Sequence, residues 1–208
     1  MSHPLINRPP DAILTLPPRL LPGAAYYARL AAYPKTVIAW GGRFDRSDKD
    51  THRFMIADTR GRLSLTVPVA KPQPGARWAD VVLSDHGRWQ ETMPIALESA
   101  YGRTPFFEFY ADRLLPIISQ AKGGDRLMDF SAHLNSAVCG ILGLTEHRID
   151  HSPSAVVNGK SVPLPAIDEY WQVRADRLGF ISGLSILDLI FNLGPEAPLR
   201  LKSVPLTL

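Results

Sequence analysis

The sequence predicts an α/β or α+β domain with a mixed sheet from the N-terminal half, a helical middle and a C-terminal helix. Three features carry that prediction: a strand–helix–strand pattern opens the chain, a hairpin pattern follows, and later apolar residues recur at helical spacing. The 208 residues suit one domain spanning 1–208, since domains cluster near roughly 100–200 residues.

The first stretch is broken by Pro9, Pro10, Pro17, Pro18 and Pro22, because proline removes a backbone donor and disfavours helix at the preceding residue. Between them Ala12–Leu16 reads as a short strand. Ala24–Ala32 (AAYYARLAA) is rich in helix formers. Thr36–Trp40 (TVIAW) reads as a buried strand and completes a β-α-β start. Arg53–Ala57 and Arg62–Val69 follow as a hairpin across Asp58–Gly61, with Leu63, Leu65 and Val67 at the period of a half-buried strand. Lys71–Ala76 is a loop by composition, and Asp80–Leu83 a further short strand. Helices are expected over Ile95–Tyr101, Phe106–Ser119 (after Pro105, which suits a first turn) and Leu127–Leu142, the last ended by Gly143. Ser152–Pro165 is polar and proline-punctuated, so it reads as a loop. A short apolar helix near Ile186–Asn192 closes the tail. There Ser185 fits an N-cap accepting from the N3 amide of Asp188, Gly194 a left-handed stop, and Pro195 a bar to continuation.

Composition narrows the function. The richest apolar stretch, Leu184–Leu193, contains Asp188 and Asn192 and falls well short of the roughly 18 residues a membrane span needs. The N-terminus lacks the charged-then-apolar pattern of a secretory signal. A soluble, cytoplasmic protein is therefore expected. Net charge is only +3, and the most basic stretch, Arg43–Arg53, is interleaved with Asp45, Asp48 and Asp50. That mixing argues against a nucleic-acid groove.

Motifs for chemistry are few. The single Cys139 excludes an internal disulfide and a cysteine-rich zinc site; in SAVCGIL nothing local would lower its pKa, so it reads as core. His147 and His151 are four apart, but Ile149 and Asp150 suggest strand or turn, and no third metal ligand can be named. Neither a metal nor a cofactor is expected. Glu108 and Asp112 read as a solvated helix face, and Gly41–Gly42 as a turn at a strand end. Trp89, Tyr101, Phe106 and Phe107 are expected to cluster as aromatic core.

Longer stretches carry more. LLPGAAYYARL (with Leu21–Leu30 at its core), HRFMIADTRGRLSLTVPV (His52–Val69) and WQETMPIALESAYGRTPFFEFY (Trp89–Tyr110), in that order, resemble the WbqC-like family; YWQVRADRLGFISGLSILDLIFNLGPEA (Tyr170–Ala197) is similar to the ending of one branch of it. The resemblance runs from about Leu21 to Ala197. The family takes its name from members encoded with O-antigen and other surface-polysaccharide genes. It implies a cytoplasmic step on a sugar precursor, such as acyl or aminoacyl transfer to an amino sugar, with a nucleotide-sugar or amino-sugar ligand.

Departures from the pattern matter as much. Family members tend to carry R-N-R-x-R where this chain has Thr51, His52, Arg53, Phe54 and Met55, so only Arg53 is kept. Many have a histidine where Met93 stands, and methionine cannot transfer a proton. The alternative is thus a non-catalytic partner protein that has lost active-site residues. Candidate ligand-contacting residues are Arg53, whose fork matches phosphate or carboxylate, and its neighbour His52. In the tail, Asp188 and Asn192 share a polar helix face with Ser185, and Gln172 and Tyr170 lie close by in sequence. No catalytic residue can be assigned.

Overall fold

A computed structural model describes residues 13–45, 47–144, 148–157 and 167–204. Strand β1 (Ile13–Leu16), helix α1 (Ala24–Ala32) and strand β2 (Lys35–Ala39) form the expected β-α-β unit, with β1 and β2 parallel and Leu16 opposite Ile38. Strand β3 (Arg53–Asp58) and strand β4 (Gly61–Thr66) form the hairpin, with Arg53 opposite Thr66. Its turn is set by the Asp58 carboxylate accepting from the Arg60 amide at 2.7 Å, and by Gly61 at φ +114°. Parallel and antiparallel pairing are both present, but in two sheets. The parallel sheet, of order β1-β2-β5, recruits β5 (Arg148–Ser152) from far along the chain.

Two strand expectations fail, one at its end and one throughout. β4 stops at Thr66, where Pro68 would interrupt the ladder, leaving Val69 a single bridge to Leu83. The stretch Asp80–Leu83 is no strand: a 3₁₀ turn over Trp78–Asp80 leads into isolated bridges of Val82 and Leu83.

Helix α2 spans Trp89–Tyr101, six residues longer than expected, with Pro94 inside it. Trp89, Met93, Leu97 and Tyr101 are all buried at a spacing of four, and the Trp89 indole donates to the Ser84 carbonyl at 2.7 Å. That packing outweighs one missing helix bond. α3 (Phe107–Ser119) and α4 (Leu127–Ile141) match expectation, and Gly143 takes φ +67°. A four-residue helix α5 (Ala175–Leu178) precedes the tail helix α6 (Ile186–Leu193).

The Ser185 hydroxyl does cap α6, but it accepts from the Leu187 amide (3.3 Å) and not from that of Asp188. The Asp188 amide instead reaches the Ser185 carbonyl at 2.9 Å. Gly194 ends α6 at φ +51°, where an added Cβ would meet the Phe106 ring at 2.4 Å. Pro195 sits inside a single 3₁₀ turn (Gly194–Glu196), which leads into an unexpected helix α7 (Ala197–Lys202) that packs with α6 against α1.

Every apolar residue of α6 from Ile186 to Phe191 is buried, and Tyr101 and Phe107 lie against Phe191 at 5.3 and 5.0 Å between ring centroids. The expected aromatic group is divided, however. Trp89 stacks edge-on to Phe130, and Phe106 is only half-buried, beside Phe109.

Candidate functional site

Three separate pieces of chain meet around a cavity of about 440 Å³. They are the loop Arg19–Pro22 running into the first turn of α1, the start of β3 (Arg53, Phe54, Met55), and the tail segment from Ile167 to Ser185. Backbone bonds hold them together: the Ser185 amide donates to the Met55 carbonyl at 2.7 Å, and the Ile186 amide to the Pro22 carbonyl at 2.9 Å. Gly23, the N-cap of α1, bridges to Ser185, and an added Cβ there would stand 2.8 Å from the Leu184 carbonyl oxygen. Leu21 lines the cavity in a left-handed conformation (φ +43°), an outlier for a bulky side chain.

The walls are apolar: Leu20, Leu21, Phe54, Phe180 and Leu184 face the cavity. Polar groups converge on them in small number, the pattern of small-molecule sites. Arg53 donates from Nε to the Thr66 hydroxyl at 2.9 Å, and among the described residues no acid pairs with it. Arg19, by contrast, is held by Asp48 at 2.8 Å and Asp50 at 3.7 Å. Ala24 and Ala25, at the first turn of α1, also line the cavity. Tyr170 lines the tail side, edge-on to Phe180 at 5.2 Å.

His52 does not share this cavity. It is buried and lines a separate, more open trough of about 460 Å³ with Phe44, Thr66, Ser84 and His86. Met55, where the resemblance leads one to expect arginine, lines the Arg53 cavity. Met93 is 4% exposed inside the core and is not among the cavity's lining residues.

The tail candidates come together in a different way. Asp188 is 1% exposed. Its Oδ2 accepts from the Tyr170 hydroxyl at 2.6 Å and from Gln172 Nε2 at 2.9 Å. Gln172 also clasps Ile181, donating to its carbonyl and accepting from its amide, both at 2.9 Å. Asn192 accepts from the Val173 amide at 2.9 Å and donates to the Asp188 carbonyl at 2.7 Å. The void beside Asp188 is about 10 Å³, at the limit for one water.

Gln172, Asp188 and Asn192 thus fasten the tail segment to α6, and none of the three lines the 440 Å³ cavity. Burial holds the Asp188 carboxyl above its usual range, although the hydrogen bonds from Tyr170 and Gln172 pull the other way. Burial, reinforced by the Asp188 charge, likewise raises the Tyr170 hydroxyl.

Elsewhere, His151 lies on β5, where its Nδ1 accepts from the Trp40 indole at 3.2 Å, and burial lowers its pKa. His147 lies outside the described residues, as does most of the expected loop before Pro165. Burial pushes the Cys139 thiol up to about 12, which leaves it a packing group. Among the described residues no three His, Cys, Asp or Glu side chains gather into a metal-holding group, and no helix is long and apolar enough to cross a membrane.

Sequence reasoning singled out Arg53 but not Arg19, Leu21 or Phe180. Only the tertiary fold brings those three beside it, and the one local hint is Gly23 ahead of a helix.

The chain matches the model of the WbqC-like protein family over residues 18–166, and it belongs to that family. Searches of curated proteins and of solved structures return no match. The family match takes in the Arg19–Ala25 and Arg53–Met55 walls of the cavity and ends before the tail wall begins at Ile167.

Proposed function

We propose that this protein acts in surface-polysaccharide biosynthesis by binding a phosphate-bearing sugar, such as a nucleotide-linked sugar, in the 440 Å³ cavity. The observation that carries the reading is Arg53: a half-buried guanidinium facing an apolar-walled cavity with no carboxylate partner among the described residues. A cation so placed favours an anion from the ligand, and a guanidinium fork suits phosphate oxygens. The first turn of α1 brings the positive end of a helix dipole to the same cavity. The family's association with O-antigen genes supplies the substrate class.

As a transferase on an amino sugar, the protein would act mainly by holding donor and acceptor together. Among the lining residues the one carboxylate is Asp50, which already faces Arg19. The burial of Met93 where many family members carry histidine favours a second reading, a sugar-phosphate-binding partner without catalysis.

Thermal-shift screening against nucleotide sugars and acyl donors tests both. A ligand selective for the folded state stabilises it by RT ln(1 + [L]/Kd), about 2.7 kcal/mol at a hundredfold excess over Kd. Stabilisation by a nucleotide sugar supports the binding reading, and product formation with an acyl donor selects the transferase. No shift with any nucleotide sugar rejects it.

A further inference from the structure

We propose that the open trough of about 460 Å³, between the end of β4 and the 3₁₀ turn before α2, is a second ligand site. Its ligand is an oxyanion carried on a flat apolar body. The proposal stands on the trough's own lining and is independent of the reading of the Arg53 cavity.

Main-chain bonds fix the walls. The Ser84 amide donates to the Pro68 carbonyl and the Ala70 amide to the Val82 carbonyl, both at 2.9 Å, which ties the chain leaving β4 to the chain entering α2. The Phe44 amide donates to the Ala76 carbonyl at 2.9 Å, and the Phe44 ring packs edge-on to Trp78 at 4.2 Å.

Three side chains on the trough retain a proton to give. A hydroxyl carries one proton and two lone pairs. That of Thr66 accepts from Arg53 Nε at 2.9 Å, and that of Ser84 accepts from the His86 amide at 3.2 Å. Neither donates to any acceptor among the described residues, and both residues are half-buried on the trough. Lys71 is exposed there, and among the described residues no acid pairs with its ammonium.

No carboxylate is among the described lining residues. Asp85, between Ser84 and His86, accepts with Oδ1 from the Gln90 side chain at 2.6 Å and from the Gly123 amide at 2.7 Å. One cation and two hydroxyl donors without an acid favour an anion with several acceptor oxygens. Phosphate and carboxylate share that chemistry. Phe44, Pro68 and Pro72 supply apolar surface beside the donors, and a few polar groups on an apolar wall are the usual make-up of a small-molecule site. The Thr66–Arg53 hydrogen bond joins this lining to that of the first cavity.

The test is an NMR titration, read at the backbone amides, of the full chain with phenyl phosphate, benzoate and benzamide. These place a phosphate, a carboxylate or a neutral amide on the same ring. Saturable shifts are expected at the amides of Thr66, Lys71 and His86, with at least one oxyanion probe binding about tenfold more tightly than benzamide. Tighter binding of phenyl phosphate identifies phosphate as the anion, and tighter binding of benzoate identifies carboxylate. Lys71→Gln should weaken the better oxyanion probe about fivefold, and Ser84→Ala about tenfold. Amide positions unchanged elsewhere show that each variant folds.

Benzamide binding as tightly as the oxyanions overturns the proposal, because the trough would then be an apolar surface only. So do shifts confined to the Arg53 cavity, at Leu21, Arg53 and Ser182, and an affinity unchanged in both variants. Absence of saturable shifts at the trough with every probe overturns it as well.

Discussion

Asp188 offers the sharpest separation of charge from hydrogen bonding, through the pair Asp188→Ala and Asp188→Asn. Truncation to alanine removes the acceptor of the Tyr170 hydroxyl and of Gln172 Nε2, and a carboxylate that Tyr101 and Asn192 also approach. Gln172 Nε2 keeps its bond to the Ile181 carbonyl, so the chief loss falls on the Tyr170 and Tyr101 hydroxyls, together with a small cavity in α6. An unsatisfied buried donor costs about 1–3 kcal/mol, and relief from burying a charge offsets part of it. We expect a net loss of about 2 kcal/mol.

Asparagine keeps the shape and one acceptor oxygen, and should cost below about 1 kcal/mol. It also removes a titration. Because burial raises the Asp188 carboxyl in the folded state, the folded chain holds that proton to a higher pH than the unfolded chain does. Between the two values the folded state binds more protons, so this group's contribution is fully present at the acidic end and falls as pH rises through the folded value. Urea unfolding across pH 4–8 measures both effects. Wild type should lose stability relative to Asp188→Asn as pH rises. A wild type that instead gains on Asp188→Asn with rising pH, or an asparagine as costly as alanine, would refute the reasoning, since the charge itself would then be what the site requires.

Further outcomes follow from the packing. Phe107→Ala, deleting a ring 7% exposed and 5.0 Å from Phe191, should cost about 3–5 kcal/mol in chemical denaturation; a loss below about 1 would mean that the ring is not core. Ser185→Ala should cost about 1 kcal/mol, and no measurable loss would remove its capping role. Gly23→Ala forces a Cβ to 2.8 Å from the Leu184 carbonyl and should cost about 1–3 kcal/mol as overpacking, weakening nucleotide-sugar binding as well; an unchanged midpoint and affinity would show that the α1–tail junction is slack.

Much of the fold was legible because its signals are local. Helix formers between prolines placed α1 at Ala24–Ala32 to the residue, and alternation about Gly61 placed the hairpin. Legibility failed where distant packing decides. Pro94 argues locally against a helix through it, yet Trp89 and Met93 find the core on the same face as Leu97. Residues 80–83 look extended and pair only by isolated bridges, because their partners Arg126 and Val69 belong to no strand.

The candidate site was half legible. Arg53 stood out by resemblance, and the polar face of α6 by spacing. Spacing alone could not tell that Asp188 and Asn192 turn inward to fasten the chain. Nor could it tell that Tyr170, of that group, is the one lining the cavity.

The central claim, that the Arg53 wall takes a phosphate-bearing ligand, is tested most directly by calorimetric titration of UDP into the wild type, Arg53→Lys and Arg53→Gln. Lysine keeps the charge without the fork, and glutamine removes both. Graded loss is predicted: weaker binding in Arg53→Lys, and at least about tenfold weaker in Arg53→Gln, the worth of one charge-assisted hydrogen bond. Equal affinity in all three proteins would contradict the account.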